Sequence, residues 1–231
     1  MAEGEQKAAR EKFWRKANLH YSKPHYRLEK SAVIINRLAR GRDCTLLDVG
    51  CGPAALRYLL TPNIEYHGID IAIQKPAPDL RQIDLIESPI EFGGQQFDLV
   101  VAQGFFEYIE DAQEQKLAEI QAILGPGGRF LVSYVNFGHR KPDIPAPYSN
   151  VQPMGAFRRS LERYFTLERS FATSHNWRHN EPGRRFLRAS QLHLNVSIPV
   201  ISSVLAVEYF FICSGRGSGA RRRRFLAVAP R

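Results

Sequence analysis

Three aspartates and one glycine-rich turn are the features of this chain best suited to chemistry. Leu46-Leu47-Asp48-Val49-Gly50-Cys51-Gly52-Pro53-Ala54 reads as a buried strand running into a glycine turn and then a helix. A turn of that kind leaves backbone N–H groups free. With no Cβ at Gly50 or Gly52 it also lets a ligand come close. Asp70 lies about 20 residues further on, the offset at which an acid reaches a ribose hydroxyl pair. A third acid, Asp84, sits in the run Gln82-Ile83-Asp84-Leu85. The turn lacks the third glycine of the dinucleotide fingerprint, and no Gly-Lys-Ser/Thr follows it. A dinucleotide fold of that type and a triphosphate loop are therefore both excluded.

These residues need strands and helices to bring them together. Glu65 to Ile71 reads as a second strand ending in Asp70, and Gln82 to Leu85 as a short third strand. Phe97-Asp98-Leu99-Val100-Val101-Ala102-Gln103 is a strongly β-prone fourth, followed by Gly104-Phe105-Phe106-Glu107-Tyr108. A helix with Leu117, Ile120 and Leu124 on one face comes next. It stops at Gly125-Pro126-Gly127-Gly128, and Arg129 to Tyr134 forms strand five. Strands alternating with helices at this spacing predict a parallel sheet, in which the carboxyl ends of the strands carry the ligand.

The order and spacing of these pieces resemble the class I S-adenosylmethionine (SAM)-dependent methyltransferases over about residues 27 to 137. Within that family the form of Phe97 to Asp111, and the run Asn136-Phe137-Gly138-His139, are similar to UbiE-like and MetW-like domains. The chain departs from the pattern at Tyr108, where relatives often carry His, and at Pro53-Ala54. The resemblance implies an α/β, Rossmann-like, seven-stranded, mostly parallel sheet with helices on both faces. It also implies SAM as cofactor, S-adenosylhomocysteine (SAH) as product, and methyl transfer as the chemistry. On that pattern Asp48 holds the ammonium, and Gly50, Cys51 and Gly52 let the backbone meet the methionine and sugar. Asp70 and Ile71 suit the ribose, Asp84 and Leu85 the adenine edge, and Gln103 and Gly104 the methionyl part. Arg27 is a candidate partner for the cofactor carboxylate through a bidentate contact.

An oxygen acceptor usually needs a general base, and His is the side chain matched to neutral pH. His139, just past strand five, is the first candidate. Tyr108 and Tyr134 titrate too high to be bases, but they could box the sulfonium methyl by cation–π contact. His175, Trp177 and His179 form a second cluster that lacks the partners of a metal site.

The flanking organisation follows from composition. Residues 1–20 read as a basic amphipathic helix with Phe13, Trp14 and Leu19 as its apolar residues. Ser22-Lys23-Pro24 breaks it, and a second helix runs from Tyr26 to Leu38. The family resemblance implies that residues 1–40 form a helical lid, with Tyr21, Tyr26 and Arg27 as candidates to cover the cofactor. The same resemblance implies a methyltransferase domain at residues 41–213, with insertions after strand five at 136–193 on the substrate side. Residues 214–231 form a flexible basic tail. The run Leu194 to Cys213 approaches the length of a membrane span, but Asn195, Pro199 and Glu208 interrupt it, and its second half suits the last buried strand. No signal peptide is read at the start, and Cys44, Cys51 and Cys213 show neither disulfide nor metal spacing. A cytoplasmic protein without a transmembrane segment is expected.

The net charge of +9 is unevenly distributed. Residues 1–40 hold 10 Lys/Arg against 4 acids, whereas residues 41–135 hold 6 against 14. An acidic cofactor half between basic flanks fits an anionic or carrier-linked small-molecule acceptor, and it fits ordinary solubilising charge equally well. Basic ends also suit nucleic acid, but no Asn/Asp-Pro-Pro-Tyr motif follows strand four. RNA or protein methylation and a non-catalytic SAM-binding regulator stand as the alternatives.

Overall fold

In a computed structural model, the structure describes residues 3–21, 26–136, 151–175, 192–193 and 206–216. Seven strands form one sheet: β1 (Cys44–Val49), β2 (Ile64–Asp70), β3 (Leu80–Gln82), β4 (Phe97–Ala102), β5 (Leu124–Val135), β6 (Phe165–His175) and β7 (Ala206–Gly215). Their order is β3-β2-β1-β4-β5-β7-β6. β1 to β5 pair in parallel, and β7 runs antiparallel between β5 and β6. The mostly parallel, Rossmann-like sheet expected from the sequence is therefore the fold.

Successive side chains point to opposite sides, and helices cover both faces of the central strands. Leu46, Leu99, Val101, Leu131 and Phe210 pack under helix α2 (Tyr26–Ala39), which contributes Ala32, Ile34 and Ile35. Leu47, Val100, Phe130, Val132 and Phe211 face α3 (Gln113–Ile123) and α4 (Met154–Tyr164), which contribute Leu117, Ile120, Phe157 and Leu161. α2 ends where Arg40 and Gly41 take left-handed backbone (φ 53° and 69°), which lets the chain turn into β1. The N-terminal helix α1 (Glu3–Tyr21) is rich in Ala, Glu, Gln, Lys and Arg, all strong helix formers.

Three boundaries differ from the sequence reading. The glycine turn leads into a short 3-10 helix, Ala55–Leu59, and not a full α-helix. Ala54 sits in left-handed backbone (φ 55°), and Pro62 disfavours helical backbone at Thr61, which leaves room for about one turn. Strand β3 ends at Gln82, so Asp84 lies in the turn beyond it. Strand β5 starts at Leu124: Phe97 pairs with Leu124 and Leu99 with Arg129, so the Gly-Pro-Gly-Gly segment is an irregularity inside the strand. Among the described residues, no helix is long and apolar enough to cross a membrane.

Candidate functional site

The chain runs outward from β1 to β3 and then returns to place β4 on the other side of β1. At such a reversal the loops leave in opposite directions and open a crevice at the strand ends. A cleft of about 1010 Å³, part of it open to solvent, lies there. Arg27, Asp48, Gly50, Cys51, Gly52, Asp70, Ile71, Asp84, Leu85, Gln103 and Gly104 all line it.

Its floor is tied together by backbone. The N–H groups of Gly50 and Cys51 both donate to the Ile69 carbonyl, at 2.9 and 3.1 Å. Gly52 N–H donates to Asp70 Oδ2 at 2.9 Å, and Ala72 N–H to Asp70 Oδ1 at 2.7 Å. The turn therefore does not offer the free N–H donors expected from the sequence, because β2 uses them to lock the turn in place. What the glycines supply is space. Gly50 and Gly52 have φ of +72° and +56°, and a Cβ on Gly50 would stand 2.9 Å from Phe105 Cδ2.

The acids differ in their surroundings. Asp48 is 3% exposed and accepts a 2.8 Å hydrogen bond from the Tyr66 hydroxyl. Burial pushes its carboxyl up to about 7, the Tyr66 bond opposes the rise, and nearby Asp70 adds to it. Burial also raises Asp70, against the pull of the Ala72 and Gly52 N–H groups and of Asn18. Asp84 accepts from Ile86 N–H at 3.1 Å and from Arg10 Nη2 at 2.9 Å.

Arg10 belongs to α1, which the sequence reading expects as part of a lid without singling out Arg10 or Asn18. That reading gave α1 the apolar residues Phe13, Trp14 and Leu19. Instead α1 reaches the cleft through Arg10, Asn18 and Trp14, and Phe13 is largely exposed. Arg10 bridges Asp84 and Glu87, at 2.9 and 2.8 Å. Trp14 meets Tyr108 edge to face, with ring centroids 4.7 Å apart. Asn18 Oδ1 lies over Gly52, 3.1 Å from where a Cβ would stand. Polar residues on a charged helix give no periodic signal, so only their partners reveal them.

On the far wall Ser31 Oγ stands 2.7 Å from Gln103 Oε1 and 2.9 Å from the Arg27 carbonyl. The Gln103 Nε2 is buried without a hydrogen-bond partner among the described residues. Whichever way the amide is turned, one of its two polar atoms holds Ser31 and the other is left for a ligand. The buried acids, the bare glycine Cα atoms and this orphaned amide suit a ligand with a cationic amine and sugar hydroxyls, which SAM is.

Of the residues proposed for catalysis, Tyr108 lines the cleft. Tyr134 does not. It is wholly buried, stacked on Phe157 at 3.8 Å, and its hydroxyl accepts the Gln152 N–H at 2.7 Å. On β5 it points into the core between sheet and α4, so it cannot box a methyl group in the cleft. His139, Phe137, Tyr148, Trp177, His179, the tail beyond residue 216, and the side chains of Leu19, Tyr21 and His175 lie outside the described residues. Among the described residues no group of three or more His, Cys, Asp and Glu is placed to hold a metal ion.

This sheet order, with a glycine turn and acids at successive strand ends, defines the class I methyltransferase architecture. A family model described as a methyltransferase domain matches residues 24–194, and the chain belongs to that family. It is a SAM-dependent methyltransferase. No curated protein sequence matches it. Among solved structures it is similar to a TehB-like SAM-dependent methyltransferase from Corynebacterium glutamicum, with 21% identity over 90% of this chain and 100% of that one, at a TM-score of 0.57. It is also similar to the N-methyltransferase NodS from Bradyrhizobium japonicum in complex with SAH (12% identity, 81% and 85% covered, TM-score 0.54). A third is the Burkholderia thailandensis 1,6-didemethyltoxoflavin-N1-methyltransferase, with 18% identity, 81% and 78% covered, and a TM-score of 0.53.

Proposed function

We propose that the protein methylates a small or medium organic acceptor at oxygen or nitrogen, bound between the N-terminal helices and the segment 136–193. The observation that carries this reading is the cover. α1 is anchored across the cleft at Asp84 and Tyr108, which leaves an aromatic-edged hollow rather than an open basic groove. Concave sites with a few placed polar groups hold organic ligands, whereas a nucleic-acid site needs an accessible cationic surface.

SAM supplies an electrophilic methyl on a sulfonium. The chain's part is to hold it, aim the acceptor and keep water out. In this reading Asp70 takes the ribose hydroxyls on the lone pairs that Gly52 and Ala72 leave, with Ile71 beside it. Asp84 and Leu85 border the adenine. Asp48, Gln103, Gly104 and the glycine turn at Gly50, Cys51 and Gly52 take the amino-acid part, and Arg27 takes its carboxylate. Tyr108 and Trp14 line the cleft and offer ring faces to the positive sulfonium region. His139 is the proposed acceptor-side base. The two basic ends favour an acceptor with an acidic group or an acidic carrier.

The test is a methyl-transfer assay with labelled SAM against pooled small organic acids, amines and phenols, in parallel with RNA and a protein extract. Label in the small-molecule pool is the expected result. Label confined to RNA, with a rate that falls steeply with salt, would replace this reading by the polyanion one.

A further inference from the structure

Glu208 is the charge that interrupts the most apolar run of the sequence. On β7 it is 5% exposed, and its Oε1 and Oε2 lie 2.9 and 3.0 Å from Nε of Arg27, 181 residues away in the first turn of α2. A buried carboxylate of this kind is costly without a cation, so the pair holds together whether or not a ligand is present. The Arg27 guanidinium also reaches the cleft wall at Gly104. Gly104 has φ +55°, and a Cβ there would collide with Arg27 Nη1. Ser133 Oγ on β5 fixes the same glycine by accepting its N–H at 3.0 Å. A second carboxylate stands behind the pair. Glu107 is 1% exposed, accepts the Val135 N–H at 2.7 Å through Oε1, and faces both Arg27 and Glu208 electrostatically.

We propose that Glu208 is a positioning residue for the cofactor: by taking the Nε edge of Arg27 it aims the other edge of the guanidinium into the cleft beside Gly104, where it meets the amino-acid carboxylate. This rests on the assignment of Arg27 to that carboxylate. An arginine side chain has many rotamers, and one held by a buried partner gives up less freedom when its remaining donors engage a ligand. Gly104 completes the device by leaving room for the guanidinium. β7 enters the sheet last in sequence but lies beside β5, so this strand brings a residue from the end of the chain to the cofactor site.

The test compares two ligands by calorimetry. SAH carries the amino-acid part, and 5′-methylthioadenosine has the same nucleoside and sulfur without it. Glu208→Gln is expected to weaken SAH about tenfold, by analogy with loss of one charge-assisted contact, and to leave methylthioadenosine unchanged. Arg27→Lys is expected to show the same selectivity. Equal weakening of both ligands by Glu208→Gln would mean a structural role and overturn the proposal. Selective loss in Arg27→Lys with none in Glu208→Gln would keep Arg27 on the carboxylate and overturn positioning by Glu208. No selectivity in either variant would remove the Arg27 assignment and the proposal together. If Glu208→Gln does not fold, the paired change Arg27→Met with Glu208→Leu carries the test. Its loss of SAH affinity must equal that of Arg27→Met alone, because a residue acting only through Arg27 adds nothing once Arg27 is gone.

Discussion

The floor of the cleft and its cover are built by different means. The floor is held by main-chain bonds to β2; its acid Asp48 is buried, and Asp70 is half-buried under the Gly52 and Ala72 N–H groups. The cover is a helix whose first two turns are exposed and which meets the cleft through the tips of Arg10, Trp14 and Asn18. The floor opens only when the sheet does, whereas a helix docked by a few side chains can lift locally at small cost. Affinity for the cofactor should therefore reside in the floor, and the rate of exchange in the cover.

The strongest way to break that division is at the floor. Gly52→Val places a branched side chain at φ +56°, against Asn18, and is expected to abolish measurable SAH binding while circular dichroism stays native. Asp70→Ala should weaken SAH by about 1–3 kcal/mol in calorimetry, through loss of hydrogen bonds to a charged acceptor. Asp48 gives a pH signature. Its carboxyl lies near 7 in the free protein, above the ordinary 3.8, so ionising it costs the folded state stability as pH rises between those values. A ligand ammonium favours the ionised form, so SAH affinity should rise with pH up to about 7 and level off above it. Below that, the dissociation constant should rise by up to about tenfold per pH unit, a slope that Asp48→Asn removes.

Smaller effects sharpen the cover's side of the contrast. Arg10→Ala removes the bridge to Asp84 and Glu87 and is expected to speed SAH release several-fold in stopped-flow, with a stability loss of about 1 kcal/mol or less. The control is Tyr134→Phe. It loses the bond from Gln152 N–H and the hydroxyl's contact with Gln113, so stability should fall by about 1 kcal/mol and the methyl-transfer rate should not change.

The floor was legible in the sequence; a helical lid was expected beside it, but the side chains by which α1 meets the cleft were not. Strands buried on both faces read as continuous apolar runs, and glycines beside acids at their ends stand out against them. The sequence did not show that Gly50, Cys51 and Gly52 spend their N–H groups on β2, because that depends on pairing across the sheet. Tyr134 was misread because β5 is apolar on both faces, so nothing local says which side chains reach the strand end. Arg10 and Asn18 sit among other charged and polar residues on α1 and are distinguished only by what they touch. Glu208 did leave a signal, as an acid in the most apolar run of the chain, but its partner lies 181 residues away.

Calorimetric titration of SAH into the full chain and into Asp70→Ala tests most directly that the strand-end floor holds the cofactor. The expected result is one site per chain, with affinity about ten- to a hundredfold weaker in the variant and the melting profile cooperative in both. No heat at millimolar SAH, or equal affinity in the two proteins, would contradict it.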